Sequence, residues 1–238
     1  MATRTRSRDA REKKETMQVQ NWMSAEVVTV DESGSVVRLM EILEAHDISH
    51  LPVTKDGKLV GMITEQDVRA ALPSKSTAVT AQELHYLLAE MKARDIMKAD
   101  PQTIRPDETV ELAAVKMLEY EVSGLPVVTE KGDLVGMITQ RDVLRVLISI
   151  TGIYQGGVQF AFNLEDRAGS IKEVANMIRE EKGQIVSILS NSDTADEGYR
   201  HVFIRIKKIP EEALQRLIRR LQQDFMLLYV VKDPLKEI

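Results

Sequence analysis

Leu51-Pro52-Val53, followed by Lys58-Leu59-Val60-Gly61-Met62-Ile63-Thr64-Glu65-Gln66-Asp67-Val68, returns later in the chain. The second copy is Leu125-Pro126-Val127, followed by Asp133-Leu134-Val135-Gly136-Met137-Ile138-Thr139-Gln140-Arg141-Asp142-Val143. The offset is 74 residues from Met23/Met97 through Pro52/Pro126 and 75 at Asp67/Asp142. One residue has entered the turn after the proline, where a hairpin tolerates it. Self-similarity on this scale sets the architecture before any finer pattern does. Outward from the quoted stretch, each copy predicts strand, helix, strand, strand, helix. In the first copy, residues 27–30 read as a short strand, and Val36, Leu39, Met40 and Leu43 recur at the spacing of one helical face. Residues 48–53 and 59–63 read as two strands around Lys55-Asp56-Gly57, where the glycine supplies the positive φ of the turn. Thr64 opens a helix that Pro73 stops. In the second copy the strand is Thr103-Ile104, the helix 110–119, the strand pair 122–128 and 134–138, and the last helix runs from Thr139 to about Ile150.

Between the copies, residues 73–92 form a connector. Thr80-Ala81-Gln82-Glu83 is a capping box there, and Leu84, Leu87, Leu88 and Met91 give its helix an apolar stripe. Residues 1–17 are polar and rich in Arg and Lys, a solvated tail by composition; the other reading is a basic arm for an acidic partner. From Val158 the pattern changes to βαββαβ, the split ferredoxin-like unit. Its strands are expected at 158–164, 184–190, 199–207 and 226–231. Ser170-Ile171-Lys172-Glu173 opens the first helix as a capping box, Gly183 closes it, and Pro210 sits in the first turn of the second.

The chain has 238 residues, 43% apolar and 29% charged, with a net charge of −5. That suits water-soluble domains with real cores and argues against a nucleic-acid footprint, which would be basic. There is no Cys, so no disulfide, no thiol nucleophile and no thiolate metal site; a reducing cytoplasm is the expected compartment. No run of 18 apolar residues predicts a membrane span, and no apolar core follows the basic N-terminus as a secretory signal requires. His46, His50, His85 and His201 have no metal-ligand spacing, and no nucleophile, base and orienter set assembles from the chain.

The two copies, each with an LPV strand, a GMIT strand and a helix opening Thr-x-x-Asp, resemble a tandem pair of CBS domains, a Bateman module, over residues 18–150. The copies would span 18–72 and 93–150 and pack as a pseudo-two-fold pair. Residues 151–238, with Asp166-Arg167-Ala168-Gly169 before a small residue and an aliphatic, resemble an ACT domain. The combination resembles proteins of the acetoin-utilisation (AcuB) type. The expected fold class is therefore α/β, two βαββα repeats plus a ferredoxin-like domain.

The CBS resemblance implies that Thr64 and Asp67, with Thr139 and Asp142, hold the ribose and phosphate of an adenine nucleotide such as AMP, ADP or ATP, or of S-adenosylmethionine. It also implies that backbone groups near Thr29, Val30, Thr103 and Ile104 read the adenine edge, with Ile48, Leu51, Val122 and Leu125 as apolar walls. From the residues alone, each Thr-x-x-Asp is also a helix cap that needs no ligand, worth about 1 kcal/mol. Asp is shorter than the Glu or Gln that usually completes such a box, which would leave its carboxylate free for ribose hydroxyls. Arg141 replaces Gln66, Arg105 replaces Asp31 and Gly124 replaces His50 between the copies, so the two sites should differ, the second favouring an anion. In the ACT-like region, Asp166 with the amides of Gly169, Ser170 and Ile171, and Asn163 beside them, would suit the zwitterion of a free amino acid. The other reading there is a plain turn and cap in a domain that dimerises through its sheet edge. The expected class is a non-catalytic regulatory protein, a homodimer with an unknown protein partner; the alternative is a ligand-free dimerisation scaffold.

Overall fold

The computed structural model describes residues 16–72 and 80–233. Most of the expected tail and the start of the connector lie outside those residues. The chain divides into two units, residues 1–144 and 145–238.

In the first unit, the first repeat contributes β1 (Val30–Asp31), α1 (Val36–His46), β2 (His50–Lys55), β3 (Lys58–Thr64) and α2 (Glu65–Ala71). The connector supplies α3 (Ala81–Glu90), and the leading segment of the second repeat adds a single turn α4 (Ala93–Ile96) and β4 (Lys98–Ala99). The second repeat contributes α5 (Val110–Glu119), β5 (Gly124–Val128), β6 (Leu134–Thr139) and the start of α6 (Gln140–Thr151), which crosses the boundary between units. The first sheet has the order β1-β2-β3-β4, with β1 parallel to β2 and the rest antiparallel. β5 and β6 form a hairpin, extended by single bridges from Ile104 to Val127 and from Ser24 to Met137.

Two expected strands are shorter than the sequence suggests. Residues 27–30 yield only Val30–Asp31: pairing with β2 begins at Val30, opposite Val53, and the Asp31 carboxylate, accepting the Ser33 amide at 3.0 Å, ends the strand. Thr103-Ile104 yields one bridge, because Pro106, two residues after Ile104, has no amide to donate to the next rung. In the connector, Thr80 and Glu83 close their capping box as expected. Leu88 is buried but Leu87 is exposed, so the apolar stripe is narrower than the spacing implied.

The repeats exchange their leading segments. Residues 17–20 dock on the second repeat: Val19 N–H donates to Glu108 C=O at 2.8 Å, Gln20 N–H to Pro106 C=O at 2.9 Å, and Val110 N–H to Met17 C=O at 2.8 Å. The same three bonds recur when residues 91–94 dock on the first repeat. Ala93 N–H donates to Gly34 C=O at 2.7 Å, Arg94 N–H to Glu32 C=O at 3.0 Å, and Val36 N–H to Met91 C=O at 2.9 Å. Each leader then lays a methionine across the glycine of the other copy's GMIT strand. A Cβ at Gly61 would collide with the Met97 side chain, and one at Gly136 with Met23. This close approach is why both motifs carry glycine inside a strand.

The second unit holds β7 (Val158–Glu165), α7 (Ser170–Glu180), β8 (Ile185–Asn191), β9 (Tyr199–Ile206), α8 (Glu211–Asp224) and β10 (Met226–Lys232). All strands are antiparallel in the order β10-β7-β9-β8, the ferredoxin-like arrangement. Val158, Phe160, Phe162 and Leu164 alternate along β7 and pack with Val174 and Ile178 of α7 and Leu214, Leu217 and Leu221 of α8. The capping box expected at Ser170-Glu173 does not form. The cap is Gly169 at φ +94°, and Glu173 instead takes a two-pronged ion pair from Arg167 at 2.7 and 2.8 Å. The left-handed residue after α7 is Lys182, not Gly183, whose place is fixed by Ile178 packed against its Cα.

The end of α6 is fastened inside this second unit. The Thr151 carbonyl accepts from the Ser187 hydroxyl at 2.8 Å and from the Arg205 guanidinium. Arg205 also pairs with Asp233 at 3.0 Å, and both side chains are only 4% exposed. No helix among the described residues is long and apolar enough to cross a membrane.

Candidate functional site

A cavity of about 550 Å3 opens within the first unit, lined from both repeats. The first repeat contributes Ser49, His50, Met62, Thr64, Gln66 and Arg69; the second contributes Glu121, Val122, Ser123 and Gly124, and the exchanged leader adds Lys98, Ala99 and Asp100. Of the residues expected to bind ligand, Thr64 lines this cavity and Val122 forms part of its wall. Thr29 is exposed, Val30 is buried against β2, and Ile104 spends its amide and carbonyl on Pro126 and Val128. The Thr103 carbonyl accepts the Lys116 ammonium at 3.0 Å. Leu51 and Leu125 are fully buried core residues. These backbone and wall positions are therefore not gathered at this cavity.

Asp67 is not left free by its short side chain. Its Oδ2 accepts the Thr64 amide at 2.8 Å and the Thr64 hydroxyl at 2.6 Å, while its own amide donates back to Thr64 at 3.3 Å. Asp completes the box because the Thr64 hydroxyl points down to meet it. The other oxygen, Oδ1, lies 3.4 Å from Lys98 Nζ. Burial alone would raise the Asp67 carboxyl, but Thr64 and then Lys98 hold it below the ordinary carboxylate value. The second copy repeats the contact: Asp142 Oδ2 accepts the Thr139 amide at 3.0 Å and the hydroxyl at 2.6 Å, and Asp142 is buried. In both copies the threonine and aspartate form a preset pair.

Arg105 does not add positive charge to a ligand site. Its guanidinium is held by Asp107 at 2.8 and 3.1 Å and by Glu130 at 3.2 Å. Arg141 is exposed, at the position equivalent to Gln66.

His50, in the sequence only a difference between the copies, takes its role from the fold. Ser49 Oγ lies 2.9 Å from His50 Nδ1, and His50 Nε2 lies 2.7 Å from Ser123 Oγ. Ser49 and Ser123 are equivalent positions in the two copies, so the imidazole bridges the repeats. A Cβ on Gly124 would sit 2.9 Å from the His50 ring, so His50 and Gly124 are complementary. The unequal residues at this position, visible in the sequence, face each other; only one can be large. Burial pushes the His50 imidazole below its ordinary pKa, with Glu65 opposing. A histidine depressed in the folded state keeps its full contribution to stability above the unfolded pKa near 6.5 and loses it as pH falls below that value. The thermal midpoint should therefore drop more between pH 7.5 and 5.5 in the native protein than in His50→Gln; equal drops would contradict this placement of the imidazole.

In the second unit, Asn163 and Ser170 line a cavity of about 230 Å3. Asp166, expected to meet an ammonium, does not line this cavity; its Oδ1 pairs with Arg200 Nε at 3.0 Å, and its amide donates to Gly198. Among the described residues no cluster of three or more His, Cys, Asp or Glu could hold a metal ion.

The CBS domain family model matches residues 19–74 and 93–149. A CBS domain-containing protein of Dictyostelium discoideum is 35% identical over 133 residues, which is 56% of this chain and 92% of that protein. A homoserine O-acetyltransferase of Methanohalobium evestigatum is 33% identical over 130 residues, 54% of this chain; the match spans only 24% of the enzyme. Among solved structures, the CBS domain pair of protein MJ0100, in complex with 5′-methylthioadenosine and S-adenosyl-L-methionine, is 30% identical with a TM-score of 0.46. That match covers 55% of this chain and 94% of the other. The two copies of the LPV and GMIT motifs, their exchanged leaders, the family model and the Dictyostelium relative agree: the chain belongs to the family of CBS domain proteins.

Proposed function

We propose that the first unit is a regulatory sensor of adenosine nucleotides and that the chain is not itself an enzyme. The observation that carries this reading is the cavity built from both repeats, with Thr64, itself bonded to Asp67, and the Ser49–His50–Ser123 hydrogen-bonded chain at its wall. Its volume is within the range of small-molecule sites. Thr64, Asp67, Thr139 and Asp142 are the proposed ribose and phosphate residues, and Arg141, next to Asp142 in the chain, is a proposed cation of the second copy; Thr139, Arg141 and Asp142 do not line this cavity. Ser49, His50 and Ser123 offer hydroxyls and an imidazole to a sugar or base. They carry a second hydroxyl where a hydrolytic triad has a carboxylate, which supports binding over catalysis.

Charge narrows the ligand at this cleft. Arg69 and Lys98 line it, but so do Glu65, Asp100 and Glu121, and Arg69 is paired with Glu65 at 3.3 Å. Each further phosphate adds negative charge against this wall, so a monophosphate or an uncharged adenosine derivative should bind better than a triphosphate. Calorimetric titration should rank AMP at least tenfold tighter than ATP. Equal or tighter ATP binding would reject this assignment of charge.

The second unit, with its ferredoxin-like sheet and Asp-Arg-x-Gly turn, supports reading it as an ACT domain that takes a free amino acid at Asn163, Gly169, Ser170 and Ile171. Helix α6 starts beside Thr139 and ends at Thr151, held by Ser187 and Arg205, so it is the proposed route from nucleotide to second domain. A scaffold reading is favoured by one observation. Leu112, Val115 and Leu118 on α5 are 38%, 46% and 76% exposed at a spacing that puts them on one face. That face suits a second copy of the chain, and a monomer by light scattering at high concentration would remove it.

A further inference from the structure

The 230 Å3 cavity in the second unit lies where β7 ends, α7 begins and the chain turns from α8 into β10. Asn163 at its wall is 9% exposed. The Asn163 amide nitrogen faces the Met226 sulfur at 3.7 Å, a weak contact, and its Oδ1 is buried with no hydrogen-bond donor. A buried carbonyl oxygen without a donor is a recurrent mark of a group that a ligand or water completes. Helix α7, beside it, has no side-chain cap, since Gly169 occupies the cap position.

The walls are acidic. Glu165, Glu173 and Asp224 line the cavity against a single guanidinium, Arg167. That guanidinium is already committed, at 2.9 Å to Glu165 and at 2.7 and 2.8 Å to Glu173. An anionic side chain entering here would meet spent positive charge and unpaired negative charge. A cationic donor would satisfy the Asn163 oxygen and gain from the acidic wall. We propose that this cavity binds the terminal ammonium of a basic ligand, an ammonium other than an α-amino group, which donates to Asn163 Oδ1, with the uncapped start of α7 taking a carboxylate when the ligand has one. The inference rests on the reading of this domain as an amino-acid sensor and narrows it to a basic ligand.

The test uses the full chain and three probes in calorimetric titration: L-lysine, cadaverine and L-norleucine. Lysine should bind at least tenfold tighter than norleucine, which keeps the carboxylate and chain but lacks the side-chain ammonium. Cadaverine binding as well as lysine would place the recognition in the ammonium alone; cadaverine weaker than lysine would add the α7 amides. Both outcomes support the proposal. Asn163→Leu should lose lysine binding at least tenfold. If that variant does not fold, Asp224→Asn, at an exposed position, should still weaken it several-fold. Norleucine binding as well as lysine would overturn the basic-ligand inference and leave the amino-acid reading standing. Binding of none of the three would overturn the inference and, if a wider amino-acid panel is also silent, that reading as well.

Discussion

Asp233→Ala is expected to destabilise the second domain by about 3–5 kcal/mol, because it strands the Arg205 guanidinium without its counter-charge in a buried position. The pair is 4% exposed on both sides, so water cannot replace the lost carboxylate. Removing both charges is a different perturbation. Arg205→Met with Asp233→Leu replaces the pair by apolar groups of similar size, and such exchanges are often near neutral. The double variant should therefore be more stable than the single one by a clear margin in denaturant unfolding. The Thr151 carbonyl would keep the Ser187 hydroxyl but lose the guanidinium. If the single variant unfolds at the native midpoint, the ion pair is not buried in solution, and the anchoring of α6 described above falls with it.

The second large effect is expected at the glycines of the repeated strand. Gly61→Val should cost about 1–3 kcal/mol, because its side chain would occupy the space filled by Met97. The cost should shrink when Met97 is cut to Ala in the same molecule, since the truncation makes the room the valine needs. Gly136→Val and Met23→Ala should behave in the same way. This coupling is specific to the exchanged leaders, because Met97 belongs to the second repeat in sequence yet packs on the first. Additive effects in the double-mutant cycle would contradict that packing.

The repeat, its hairpins and the caps at Thr64 and Thr80 were legible because each rests on local chemistry, turn glycines, apolar spacing and a Thr with an acid three residues on, whereas the box expected at Ser170 was lost to Gly169 and the Arg167–Glu173 ion pair. The βαββαβ order of the second domain was legible for the same reason. The exchange of leaders was not, since a strand such as Lys98–Ala99 is defined by the partner it pairs with, and that partner lies in the other repeat. The same holds for ion pairs. Nothing local in Arg105 says that Glu130 will hold it, or in Asp166 that Arg200 will. Asp67 shows a different limit. Its type and spacing were read correctly, but whether its carboxylate is free depends on where the Thr64 hydroxyl points. His50 was visible as a difference between copies. Its meaning came only when the fold placed it over Gly124 and between two equivalent serines.

The measurement that tests the nucleotide reading most directly is a titration of AMP into the native protein and into Ala99→Trp. Ala99 lines the cavity from an exposed position on β4, so a tryptophan there fills the space without disturbing the Thr64–Asp67 cap or the buried core. A nucleotide site at this cavity predicts saturable AMP binding to the native chain and at least a tenfold loss in Ala99→Trp, about 1.4 kcal/mol, with an unchanged unfolding midpoint in the absence of ligand. No AMP binding to the native protein, or equal binding to both, would contradict it.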